Sequence, residues 1–176
     1  MSPKFDFTGK VALVCGAGVG GIGAPTAQLL SAAGAHVVAV DHTPELARGT
    51  QELLEGAGGK CLPLVADLRD RGATANVVKA VRAELGRIDL LANIAGGTKQ
   101  GHTGALEHTP DEVFDDTIAL NLTYAFQICR DAGRLMIERG EGGAIVNIAS
   151  VSGLASAPFH SVYGAAKAGL IRLTQS

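Results

Sequence analysis

Residues 10–23 read Lys10-Val11-Ala12-Leu13-Val14-Cys15-Gly16-Ala17-Gly18-Val19-Gly20-Gly21-Ile22-Gly23. An apolar, β-branched run, Lys10–Cys15, ends on glycines and passes into a helical pattern over Ile22–Ala33. Gly16, Gly18 and Gly21 have the spacing G-x-G-x-x-G. Glycine suits that place because the turn is tight and a pyrophosphate has to approach the backbone. The helix start then offers free N–H groups and partial positive charge to an anion. Alone the pattern also fits a flexible loop. Between a strand and a helix it points to dinucleotide binding.

The same alternation continues outward. Strand-like runs recur at His36–Val40, Cys61–Ala66, Ile88–Ile94 and Ala144–Ala149. They are nearly all apolar, as expected for strands covered on both faces. Between them lie helical patterns over Pro44–Glu55, Arg71–Leu85 and Pro110–Arg139. A last helix starts near Ser161 and is still running at Ser176. Pro44 and Pro110 suit first turns; Gly34, Gly86 and Gly140 suit stops. We expect an α/β fold, a doubly wound, Rossmann-like parallel sheet with five strands, in one domain over 1–176. Because the chain ends inside a helix, we expect it to be a fragment of a longer protein, with strand 5 an open edge.

Asp41 ends the second strand, 18 residues past Gly23. Its carboxylate can accept from both hydroxyls of an adenosine ribose. A 2′-phosphate would meet it as a like charge, at about 4 kcal/mol per unit charge for ~4 Å and an effective dielectric near 20. His42 and Thr43 bring no Arg or Lys to offset that, so NAD is expected rather than NADP. The competing role for Asp41 is to cap the helix at Pro44.

Tyr163 and Lys167 stand at i and i+4, on one helix face. A phenol with a pKa near 10 is a poor base at neutrality, and moving it toward 7 takes about 4 kcal/mol. A nearby cation supplies part of that. Ser150 lies 13 residues before Tyr163, just past the fifth strand. Ligands of such sheets bind outside the carboxyl ends of the strands. The glycine loop, Asp41, Asn93, Ser150 and Tyr163 can therefore face one crevice.

These marks together resemble the short-chain dehydrogenase/reductase family over the whole chain. They are the Gly-rich loop, Asn93-Ile94-Ala95-Gly96, Ser150 and Tyr163-x-x-x-Lys167. Asn121 matches the family's fourth catalytic position, and Asp67 of Ala66-Asp67-Leu68 resembles its adenine-contacting residue. The resemblance implies Tyr163 as general acid/base and Lys167 as its activator and holder of the nicotinamide ribose. It implies Ser150 as donor to the substrate oxygen and Asn121 as anchor of a proton-relay water. Cofactor contacts would come from Gly16, Gly18, Gly21, Ile22, Gly23, Asp41, Asp67, Leu68, Asn93, Ala95, Gly96, Tyr163 and Lys167. Asn93 would brace the sheet beside them. The cofactor would be NAD and the substrate a small alcohol or ketone.

This chain departs from the family pattern at several points. Cys15 replaces a usual Thr, and four residues separate Gly16 from Gly21 where three are usual, so Val19 and Gly20 hold an insertion. Ile94 stands where a second Asn is common. The family also continues past the Tyr helix with more strands, a Pro-Gly segment and a substrate lid, which this chain does not contain.

Composition narrows the alternatives. The 176 residues are 47% hydrophobic, with fifteen Lys+Arg against seventeen Asp+Glu and 24 glycines. The slight negative charge excludes a dedicated nucleic-acid binder. No apolar run approaches a membrane span, and Met1–Lys10 has no signal-peptide core, so a cytoplasmic protein is expected. Cys15, Cys61 and Cys129 lack metal or redox spacing and read as buried small hydrophobes. His36, His42, His102, His108 and His160 show no metal spacing, so no metal is expected. His102 and His108 read as part of a solvated loop over Gly97–Thr109. Asn121-Leu122-Thr123 matches a glycosylation acceptor by accident. The segment Val151–Val162 either lines an apolar pocket or packs under the last helix. Apolar residues on several sides of the long helix require burial, either between subunits of a dimer or tetramer, as the family implies, or within one chain. Two other functions compete: a catalytically incompetent NAD-binding module, and a methyltransferase, which would leave Ser150, Tyr163 and Lys167 without purpose.

Overall fold

The computed structural model describes residues 5–98, 104–156 and 158–176. Among them the chain alternates strand and helix: β1 (Val11–Cys15), α1 (Gly23–Ala32), β2 (His36–Asp41), α2 (Pro44–Gly56), β3 (Lys60–Val65), α3 (Ala73–Leu85) and β4 (Leu90–Asn93). Then follow α4 (Asp111–Ile118), α5 (Tyr124–Arg139), β5 (Ala144–Asn147) and α6 (Ser161–Thr174). All strand pairs are parallel, in the order β3-β2-β1-β4-β5. The doubly wound sheet is as expected, with the third to fifth strands shorter or shifted by a residue or more. The order reverses at β1, so the carboxyl ends of β1 and β4 open the crevice where such sheets bind ligands.

The central strands are buried because their alternate side chains enter two cores. Leu13, Cys15, Val38 and Val40 join Val77, Val81, Ile128 and Leu170 on one face. Val14, Val37 and Ala39 join Ala27 and Leu54 on the other. Each fully buried Val or Leu contributes roughly 1.5–3 kcal/mol, so these layers hold the crevice's floor rigid. Coverage on both faces fails at β5, where Ile145 and Val146 are exposed. Of the cysteines, Cys15 is buried as expected, while Cys61 and Cys129 are only half-buried.

The long helix is one run in three parts. It begins at Asp111, with Pro110 as the extended N-cap rather than a first-turn residue. A π-helical turn, Ala119–Thr123, then interrupts it before α5. Such turns add a residue to the helix and re-aim side chains. Gly86 and Gly140 end α3 and α5 in left-handed conformation, as expected.

Candidate active site

The glycine loop is fastened to the ends of three strands. The Val40 carbonyl accepts from Gly16 and Ala17 N–H, and the Cys15 carbonyl accepts from Ile94 and Ala95 N–H. Gly16 has φ +81°, and a Cβ there would stand 2.5 Å from the Ala95 nitrogen, so the backbone crossing requires glycine. Gly23 makes the tight helix–loop contact, since a Cβ there would overlap the Gly16 carbonyl oxygen. Gly21 meets nothing within 4 Å and faces open space. Val19 and Gly20, where the extra residue falls, are both exposed. No side chain caps α1, which starts at Gly23 with no acidic residue in its first turn.

Two cavities run along this edge. One, about 220 Å³, is lined by Gly16, Asp41, His42, Asp67, Leu68 and Arg69 among others. The second, about 490 Å³, is lined by Gly18, Gly21, Ile22, Gly23 and Gly96 among others. Both share Gly16, Asp41, His42, Ala95 and Leu120 and so form one groove. A tight glycine crossing, an uncapped helix start and a carboxylate beside them fit the pyrophosphate and ribose of a dinucleotide.

Asp41 is not a helix cap. Thr43 caps α2, accepting from Leu46 N–H at 3.3 Å. Oδ2 of Asp41 instead accepts from Gly18 N–H at 2.7 Å, tying β2 to the glycine loop. Asp67 accepts from Arg69, whose guanidinium holds its carboxyl below the usual carboxylate range.

At the other end of the groove, Gly96 marks a convergence. A Cβ there would stand 2.8 Å from Asn121 Oδ1 and 3.0 Å from Lys167 Nζ. Asn121, fully buried in the π-helical turn, donates Nδ2 to the Gly97 and Thr117 carbonyls and accepts Gly97 N–H on Oδ1. Lys167 donates to the Ile148 carbonyl at 2.8 Å, and its Nζ lies 5.7 Å from the Tyr163 ring centroid. Burial pushes the Lys167 amine below the ordinary lysine range. Ser150 opens a short turn, Val151–Gly153, that packs on α6: a Cβ at Gly164 would stand 2.8 Å from the Ser152 carbonyl oxygen. Ser150 and Tyr163 thus sit on two segments in close contact.

Asn93 is buried away from the groove. Its Nδ2 donates to Asn147 Oδ1 at 2.8 Å and to Cys129 Sγ, while its Oδ1 has no partner among the described residues. It braces β4 against β5 and α5 and does not line the groove. Val151, Leu154 and Phe159 are exposed, so they do not pack under the last helix. His102 lies outside the described residues, as does the centre of the expected Gly97–Thr109 loop; His108 is exposed in a short turn. Two groove residues, Leu120 and Arg69, and one buried support beneath the groove, Tyr124, are not singled out as such by the sequence. Leu120 lines both cavities, Arg69 lines the one beside Asp67, and Tyr124 donates to the Ala95 carbonyl at 2.7 Å. Their nearness to Asn121 and Asp67 in the chain was the available signal.

A family model described as short chain dehydrogenase matches residues 10–176. The chain is 37% identical over 177 residues to D-threitol dehydrogenase of Mycolicibacterium smegmatis, covering 99% of this chain and 66% of that protein. The solved NAD+-bound xylitol dehydrogenase superposes with TM-score 0.88 at 33% identity, covering 96% of this chain and 64% of that one. A metagenomic short-chain oxidoreductase in complex with NADP gives TM-score 0.90 at 34% identity, over 96% of this chain and 75% of that one. The chain spans about two thirds of the length of the curated relatives it matches.

Proposed function

The chain belongs to the short-chain dehydrogenase/reductase family, and from that premise we propose that it serves an oxidoreductase moving a hydride between NAD(H) and the CH–OH or carbonyl carbon of a small molecule. The observation that carries the proposal is the meeting of Asn121, Lys167 and the end of the groove at Gly96. The threitol and xylitol dehydrogenases among its relatives support an alcohol or ketone substrate.

The nicotinamide supplies the hydride acceptor or donor when bound. The chain's own residues do the rest. Gly16, Gly18, Gly21, Ile22 and Gly23 hold the pyrophosphate against the start of α1. Asp41 takes the adenosine ribose, Asp67 and Leu68 take adenine, and Ala95 and Gly96 wall the groove. Tyr163 Oη removes the proton from an alcohol or returns it to a ketone oxygen. Ser150 Oγ donates to that same oxygen as its charge develops. Lys167, a cation beside the Tyr163 ring, favours the deprotonated phenol oxygen and reaches the nicotinamide ribose. Asn121 fixes the Gly96–Gly97 wall and orders a relay water behind Lys167.

Asp41 supports NAD over NADP, through repulsion of a 2′-phosphate. The half-exposed Phe114 and Phe126 and the exposed Ile137 on the long helix support a homo-oligomer. Three free thiols support a reducing, cytoplasmic setting. The test is titration with NADH and NADPH by fluorescence, followed by turnover assays on a panel of polyols, secondary alcohols and ketones. NADH-selective binding with turnover of one of them is expected. Tighter NADPH binding overturns the cofactor assignment. Binding with no turnover leaves the binding-module reading in its place.

A further inference from the structure

The Asp41 carboxylate is already heavily engaged. Oδ2 accepts from Gly18 N–H at 2.7 Å. Oδ1 accepts from His42 N–H at 2.8 Å and lies 2.7 Å from His42 Nδ1. An ionised carboxyl offers about four acceptor sites. Three of them are taken, and a ribose diol asks for two.

We propose that His42 is a specificity-determining residue for the dinucleotide, its imidazole competing with the adenosine ribose for Oδ1 of Asp41. The inference rests on the reading that Asp41 receives the ribose of NAD. Two further observations favour it. His42 lines both cavities of the groove. Its side chain is 62% exposed, whereas that of Asp41 is 10% exposed and pinned by two backbone N–H groups. The carboxylate therefore stays, and the imidazole is the group that turns out when the diol arrives. Arg69, across the cavity, is bonded to Asp67 and does not replace it. A 2′-phosphate gains nothing from that exchange, because the carboxylate repels it whether the imidazole is in or out. Removing the imidazole should thus help NAD alone.

Calorimetry on the whole chain tests this with NAD and NADP as probes. For His42→Ala, NAD is expected to bind about threefold to tenfold more tightly, the worth of one net hydrogen bond, with NADP no tighter than in the parent. His42→Gln, which restores a donor, should return NAD affinity toward the parent's value. In a nitrogen-labelled parent, the His42 Nδ1 resonance should shift on adding NAD. An NAD affinity within twofold of the parent in His42→Ala, or a weaker one, overturns the proposal, and so does an unmoved resonance. Failure of the parent chain to bind either dinucleotide overturns the function proposed above instead.

Discussion

Asn121 closes both ends of its amide on the backbone of Gly97. Nδ2 donates to the Gly97 carbonyl at 2.8 Å, and Oδ1 accepts the Gly97 N–H at 2.9 Å. A third bond, from Nδ2 to the Thr117 carbonyl at 2.9 Å, seats the amide on its own helix. The side chain is a clamp between the π-helical turn and the loop after β4. Asn121→Ala removes three bonds and leaves the buried Thr117 carbonyl and the half-buried Gly97 groups unmet, so we expect a stability loss of about 1–3 kcal/mol. Urea unfolding measures it, and NADH affinity should fall with it. A variant as stable as the parent would show that the clamp is idle.

Gly21 and Gly23 share a sequence motif and differ in space. A Cβ at Gly23 would collide with the Gly16 carbonyl and stand 2.8 Å from Ala17 Cα, both backbone. Gly23→Ala must push the loop away and should abolish dinucleotide binding. Gly21→Ala meets nothing within 4 Å and should leave unfolding unchanged. Parallel melts and NADH titrations of the two variants decide the matter; equal behaviour of the pair contradicts the assignment.

Tyr163 and Lys167 separate chemistry from binding. Tyr163→Phe should cost about 10²–10⁴-fold in turnover, the usual share of a general acid/base, with NADH affinity nearly intact. Lys167→Met should also lose turnover, yet fold well. Its amine is pushed down by burial, so the protonated form is disfavoured inside the chain. A depressed lysine costs stability while charged, and the cost fades as pH rises from its folded value toward its unfolded one. The parent should therefore gain on the Met variant as pH climbs toward about 10.5. Denaturant midpoints across alkaline pH check the sign, and a gap that widens the other way refutes it.

Asp89 is the structural counterpart, at the far end of the strands. Burial works to raise its carboxyl, but Arg87, Val11 N–H and Lys10 outweigh that and hold it below the usual carboxylate range. Asp89→Asn should cost about 1–3 kcal/mol at neutral pH, since it removes a buried carboxylate that accepts from Val11 N–H and binds the partly exposed Arg87 and Lys10. The difference should be full above about pH 4 and fade as pH falls through the lowered folded value. Urea titrations at stepped acidity measure it; a pH-independent gap would assign the effect to packing.

The fold was legible in the chain. Runs such as Val11–Cys15 and His36–Val40 are short, apolar and β-branched, and the glycine loop joins the first of them to a helix. Local pattern is enough for that, because a strand buried on both faces leaves its mark residue by residue. β5 is apolar like the others yet stands at the sheet edge with Ile145 and Val146 exposed, the open edge expected from a chain that ends inside the next helix. For the candidate site the sequence offers residue types, Ser150, Tyr163, Lys167 and Asn121, at the spacing that resembles the family pattern.

What each side chain holds was decided only in three dimensions. Asp41 reaches Gly18 across 23 residues, Asn121 reaches Gly97 across 24, and Asn93 reaches Asn147 across 54. Of the two roles expected for Asn93, facing the crevice and bracing the sheet, the structure keeps only the second, with its amide inside the core. Sequence alone settled the order of elements, because backbone preference and apolar spacing act over a few residues. The partners of the polar atoms were settled by tertiary structure, because a hydrogen bond needs an approach within about 3 Å that only packed elements, far apart in the chain, can bring about.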